Sequence, residues 1–217
     1  MNKNKRPNIT ARDFATILGC NPYQTAYELL EDKIENKHPF FGNKFTEHGI
    51  KYENQAIEKF EETTGISVDK NQFNVNHNEY TWITGRLDGT FIYSSSKKRK
   101  RESEICVLEI KCPLKNDRDS ELIEDNIPQH YWCQCQVYMN LIDCNYAYYV
   151  EYYIKPNDDK QNSKLYYVKV KRDKSWWKKS ITRIKKFYDE MITYYNIGNL
   201  DKHPVRICEN EWKIKFM

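Results

Sequence analysis

The nine residues Ile105-Cys-Val-Leu-Glu109-Ile110-Lys111-Cys-Pro113 constrain the fold more than any other stretch of the chain. Ile105 to Leu108 is an unbroken apolar run, the pattern of a central strand buried on both faces. Pro113 has no N–H to donate and closes it. Two charged residues nevertheless stand at the strand's end. The two-residue period puts Val107, Glu109 and Lys111 on one face and Leu108, Ile110 and Cys112 on the other. A carboxylate and an ammonium buried side by side lose several kcal/mol each in desolvation unless something compensates. A structural ion pair and a catalytic site both meet that condition.

Asp88 favours the second. Tyr80 to Tyr93 is rich in aromatic and β-branched residues, with Gly85 and Gly89 marking a bend or bulge around the acid. The hydrophilic segment Ser94 to Glu104 reads as a loop, so the flanking strands are expected to pair antiparallel and to bring Asp88 beside Glu109. Two adjoining carboxylates need a cation. Their hard oxygens suit Mg²⁺, or Mn²⁺, with the remaining positions left to water and phosphate. Lys111 is then placed to orient or deprotonate a water while the metal polarises a phosphoryl oxygen. An Asp followed, after a hairpin, by Glu-x-Lys is a nuclease arrangement.

Composition bounds the rest. A chain of 217 residues can bury one domain with a helical appendage, and 14% aromatic residues supply a core despite a mean hydropathy of −0.90. No apolar run reaches membrane-span length, and Met1-Asn-Lys-Asn-Lys-Arg6 lacks a signal-peptide core, so a soluble intracellular protein is expected. The seven cysteines show no repeated spacing and several fall in expected strands or helices, which favours buried reduced thiols over disulfides. Without Cys-x-x-Cys pairs, and with scattered histidines, a zinc site is not expected. A net charge of +4 permits a polyanionic partner without requiring one.

Along the chain, Thr10 is a plausible N-cap, with Asp13 its reciprocal acid and Gly19 the stop; Thr25 to Glu28 is a second capping box. A helix from about Thr46 to Thr63 aligns Ile50, Glu53, Ile57 and Phe60 on one face. A carboxylate inside that stripe is either paired or near a metal. Ile66 to Val75 reads as a half-exposed strand. The basic run Lys97 to Arg101 admits three readings: a solvated loop tip, a DNA-backbone contact, or a nuclear localisation patch. Ile127-Pro128 opens a helix that is apolar nearly all round, so Gln134 needs partners inside. Strands follow at Asn145 to Tyr153 and Leu165 to Lys171. A final helix capped by Asp173 or Ser175 carries the stripe Trp177, Ile181, Ile184, Tyr188, Met191 and Tyr195. The stretch from Asp201 to Met217 shows no readable pattern.

Asp88…Glu109-Ile110-Lys111 resembles the PD-(D/E)XK nuclease signature. Glu109 to Pro113, Gln134-Cys-Gln136, Gly49-x-x-x-Glu53 and Ile9-Thr-Ala-x-Asp13…Leu18-Gly-x-Asn-Pro-Tyr23 resemble one branch of it, the lambda exonuclease or YqaJ-type viral recombinase family. Leu87 stands where that family has Pro, and Arg12 where it has Ser. The resemblance implies an α/β fold with a restriction-endonuclease-like core, a mixed central sheet flanked by helices. It implies one nuclease domain over 1–217: a helical DNA-end region at 1–45, a catalytic core at 46–172, and a terminal helix and tail at 173–217. Asp88, Glu109 and the Ile110 carbonyl would hold the metal, with Glu53 in its outer shell; Lys111 would activate the water and Gln134 position it. Lys5 or Arg6 would receive a 5′-phosphate, with Arg12 either a phosphate contact or a solvated helix charge, and with Arg86 and Gln136 as further DNA contacts. The implied activity is a Mg²⁺-dependent 5′→3′ exonuclease on duplex DNA ends, processive as a ring-shaped trimer. A single-strand-annealing partner in viral or mobile-element recombination goes with it, in the cytoplasm or the host nucleus. An endonuclease or junction resolvase on the same core, and a non-catalytic DNA-binding module, are the competing readings.

Overall fold

The computed structural model describes residues 7–37, 41–71, 74–94, 103–115, 121–155 and 160–207. In chain order the elements are β1 (Ile9–Thr10), α1 (Asp13–Leu18), α2 (Ala26–Glu35), α3 (Lys44–Thr64), β2 (Asn74–Asn76), β3 (Ile83–Arg86), β4 (Gly89–Ser94), β5 (Ser103–Lys111), α4 (Gln129–Leu141), β6 (Tyr146–Tyr153), β7 (Lys164–Lys171) and α5 (Lys174–Ile197). Lys5, Arg6, the basic run 97–101 and residues 208–217 lie outside the described residues.

The main sheet has the order β4-β5-β6-β7, with β5 parallel to β6 and the other two pairings antiparallel. β5 is therefore central, as its apolar run requires, and the sheet is mixed. Alternation along the strands divides the core in two. Val107, Ala147, Tyr149 and Val170 face α4, α1 and α5. Cys106, Leu108, Ile110, Val150 and Tyr152 face the other way, against Tyr52, Ala56, Ile57 and Phe60 of α3. The expected split of Val107 from Leu108 and Ile110 is the observed one, and the α/β core with helices on both faces of a mixed sheet is the expected architecture.

A smaller sheet has the order β1-β3-β2. The segment from Tyr80 to Tyr93 is not one bent strand: β3 belongs to the small sheet and β4 to the large one, and the chain crosses between them at Leu87 and Asp88. Both glycines there serve close approach. A Cβ on Gly85 would stand 2.6 Å from Leu141 Cδ1 and from Tyr138 Cε1, and one on Gly89 would stand 2.7 Å from Val68 Cγ1.

Local signals account for most helix ends. Thr25 and Glu28 form the full capping box of α2, Asp173 accepts from Trp176 N at 2.9 Å to start α5, and Gly19, Gly65 and Gly198 end their helices with positive φ. At Thr10 only half of the expected box forms. Its N–H donates to Asp13 Oδ2 at 2.7 Å, but Thr10 pairs in β1 and the helix begins three residues later. The α3 stripe also differs from expectation: Ile50 is 72% exposed, and His48, Tyr52, Ala56, Ile57 and Phe60 form the buried face. Among the described residues of the segment 66–75, Asn74 and Val75 pair in a strand, β2, with Asp69 making an isolated bridge to Thr90. The buried residues of α5 are Ser180, Ile184, Phe187 and Met191, a narrower stripe than its sequence suggests.

The six described cysteines are free thiols. Among the described residues no helix is long and apolar enough to cross a membrane.

Candidate active site

The β4–β5 register brings the two acids together. Gly89 pairs with Leu108 at the end of the ladder, so Asp88, one step further, comes beside Glu109, and its charge acts on that carboxyl. Asp88 Oδ2 accepts a hydrogen bond from Ile110 N at 2.9 Å, which fixes its carboxylate at the end of β5. Glu109 is 0% exposed, one of the few buried charged residues among those described. Lys111 Nζ donates to Glu109 Oε1 and lies 4.9 Å from the centre of the Tyr131 ring on α4. Glu109 Oε2 is buried and has no hydrogen-bond partner.

The electrostatics follow from this crowding. Burial, then the charge of Asp88, pushes the Glu109 carboxyl up to about 8, against the opposing pull of Lys111 and Arg12. Burial works against the Lys111 ammonium, but Glu109 and Asp88 more than offset it and its pKa is raised. The rise at Glu109 follows from the geometry, a carboxyl sealed from water beside a second acid. His130, in the first turn of α4, is lowered by burial and by Lys111.

Four elements deliver the side chains. β1 pairs parallel with β3, and Ala11 N donates to Thr84 O at 2.9 Å, so Arg12 enters beside the acids; it is exposed, and its charge acts on both Glu109 and Lys111. Arg86 is also exposed, two residues from Asp88. α3 covers the opposite face of β5, and Glu53 on it is partly buried. Burial first, then the charges of Glu53 and Asp88, push the Cys112 thiol up to about 12 against the pull of Lys111. Glu53 and Asp88 thus flank the end of β5. α4 contributes Gln134, 3% exposed, whose Nε2 donates to Tyr138 Oη at 2.8 Å.

Gln136 corrects the sequence reading. It is fully buried; Nε2 donates to Lys171 O and Oε1 accepts from Asp173 N, both at 2.8 Å. Its amide joins α4 to the turn before α5, and its burial keeps it from DNA. Lys5 and Arg6 lie outside the described residues. Tyr131, whose ring covers Lys111, and Tyr138, which holds Gln134, fall on the helix face that the sequence assigns to Gln134, though it assigns neither a part in the site. Their four- and seven-residue spacings along one helix face were the available signal.

The residues fit a divalent cation. Two carboxylates at a strand end, one with a buried unpartnered oxygen, form a hard anionic donor set. Among the described residues no group of three or more His, Cys, Asp and Glu side chains makes a metal cage by itself. A cation here would need main-chain, water or substrate oxygens besides Asp88 and Glu109, the pattern suited to Mg²⁺ rather than zinc.

The fold is shared with solved exonucleases. The alkaline exonuclease of Laribacter hongkongensis, solved with dAMP, is 17% identical with a TM-score of 0.66, covering 92% of this chain and 94% of that one. A phage-related exonuclease from Haemophilus somnus is 20% identical with a TM-score of 0.61, covering 89% of this chain and 96% of that one. An uncharacterised protein of Acanthamoeba polyphaga mimivirus is 27% identical over 138 residues, 62% of this chain but 25% of that protein, so the chain spans a quarter of this relative's length. Residues 2–145 match the YqaJ-like viral recombinase domain, and the chain belongs to that family.

Proposed function

We propose that this protein is a DNA exonuclease of viral or mobile-element recombination, hydrolysing phosphodiester bonds at duplex ends with Mg²⁺, or Mn²⁺ in its place. One observation carries the reading: Asp88, Glu109 and Lys111 converge at the end of a buried strand, where Glu109 keeps an unpartnered oxygen. A structural ion pair has no use for the second acid. A scaffold that only binds DNA has no use for a buried carboxyl.

Asp88, Glu109 and the Ile110 carbonyl would hold the cation, with Glu53 in support from α3. When bound, the cation neutralises the acids and polarises a phosphoryl oxygen. The chain's own groups do the rest. Lys111, beside two acids, keeps its proton at neutral pH, so Nζ acts first as a donor that orients the attacking water and offsets charge on the phosphate. Gln134 holds the same water through its amide oxygen. Arg12 and Arg86, exposed near the acids, take backbone phosphates. By family resemblance the direction is 5′→3′, the working form a ring-shaped trimer, and the partner a single-strand-annealing protein.

The test is digestion of linear duplex labelled at each end in turn, with Mg²⁺, Mn²⁺ or chelator, beside supercoiled circular DNA. Nucleotides released from the linear ends alone, and only with metal, support the reading. Nicking of the circle turns it into an endonuclease; binding of both DNAs without cleavage makes it a binding module.

A further inference from the structure

The two glutamines of α4 are treated differently by the fold, and the difference points to a residue the nuclease signature does not contain. Gln136 has both ends of its amide bonded to main-chain groups. Gln134 is held at one end only. Its Nε2 donates to Tyr138 Oη at 2.8 Å, and Tyr138 Oη in turn donates to the carbonyl of Arg86 at 2.7 Å. Among the described residues Gln134 Oε1 accepts nothing.

The orientation of this chain of bonds is forced. A main-chain carbonyl only accepts, so the single hydroxyl proton of Tyr138 must point to Arg86 O. Tyr138 Oη can then serve Gln134 only as an acceptor, which commits the amide nitrogen to it and turns the amide oxygen the other way. Without the hydroxyl, the carboxamide loses the acceptor that holds its nitrogen, and the buried group is free to flip. The anchor is rigid: Tyr138 is 2% exposed, and its ring lies against Gly85, where a Cβ would stand 2.6 Å from Cε1. Arg86 is the residue that ends β3, two positions before Asp88.

We infer that Tyr138 is a positioning residue for the nuclease reaction: its hydroxyl fixes the Gln134 carboxamide with the oxygen presented to the attacking water, and ties that orientation to the strand that delivers Asp88. This rests on the nuclease role given to Gln134 above. Tyr138 itself touches neither substrate nor cation.

Tyr138→Phe removes one oxygen and keeps the ring that packs on Gly85. Metal-dependent release of nucleotides from linear duplex is measured for wild type, Tyr138→Phe, Gln134→Ala and the double variant, with thermal melting recorded for each. The expected result is a kcat about tenfold lower in Tyr138→Phe with KM nearly unchanged, as for loss of one buried hydrogen bond that acts in the transition state. Gln134→Ala falls at least as far, and the double variant falls no further than Gln134→Ala, because Tyr138 acts through that side chain. The Gln134 side-chain amide resonance, assigned by its loss in Gln134→Ala, shifts in Tyr138→Phe. Wild-type kcat in Tyr138→Phe, or losses that multiply in the double variant, overturns the inference while the nuclease reading stands. Gln134→Ala cutting at the wild-type rate overturns Gln134's role and the inference together. A wild-type protein that cuts no DNA fails the nuclease reading itself, and the amide resonance then still reports whether the bond to Tyr138 exists.

Discussion

Glu109 lies sealed beneath α4, next to Asp88 and in contact with Lys111. Its ordinary carboxyl value of 4.5 is raised to about 8 in the folded chain. Between those two values the folded protein holds a proton that the unfolded chain has released, so stability falls as pH rises from about 4.5 to about 8. Glu109→Gln removes that linkage. Urea unfolding from about pH 5 to about pH 9 is expected to show a flatter profile for the variant and a higher midpoint than wild type at the alkaline end, with cleavage lost. Asp88→Asn keeps an oxygen to accept from Ile110 N and removes the charge. It should lower cleavage about a thousandfold while duplex binding persists, read by gel shift beside the digestion assay. The acids and Lys111 were legible because strand alternation and a charge in an apolar run are local patterns. Tyr138 was not, since its role depends on the carbonyl of Arg86, reached only through tertiary packing. Gln136 was misassigned because the sequence shows a second amide on the helix but not the backbone groups that occupy both its ends.

At the scale of elements, α3 shows how far periodicity reaches. The sequence places a helix close to its observed bounds but turns it slightly, seating Ile50 inside and missing His48 and Tyr52. An apolar stripe spans a wide arc, and only the partner sheet decides which edge of it is covered. Phe60 sits at the middle of that contact, with ring centres 6.0 Å from Phe91, 6.0 Å from Tyr148 and 5.6 Å from Tyr167. Phe60→Ala should lower stability by about 3–5 kcal/mol in chemical denaturation. Because α3 carries Glu53, metal-dependent activity should fall with it at temperatures where the variant is still folded. The division of Tyr80 to Tyr93 between two sheets was equally hidden. β1 pairs with β3 from more than seventy residues away in sequence, and nothing local announces a two-residue strand.

The whole molecule carries a modest net charge of +4, so a polyanion must be attracted by local placement of cations rather than by overall field. Arg12 is the described cation that the fold brings to the acids from another sheet. Arg12→Ala should weaken duplex binding at every sequence and reduce the slope of log affinity against log salt by about one unit, measured by anisotropy titration across salt concentrations. The far end of the described chain is tied down as well. Arg206 donates to Glu31 and Glu35 of α2, and Leu200 N donates to Glu35, so the segment after α5 packs back on the amino-terminal helices. The seam at Leu87 and Asp88 gives this arrangement its consequence. Asp88 belongs to neither sheet and takes its position from both, with a single buried residue between it and the strand that also pairs with the segment leading to Arg12. A displacement of Arg12 would reach Asp88 only along the paired backbones of β1 and β3 and across Leu87, so the two residues share one support.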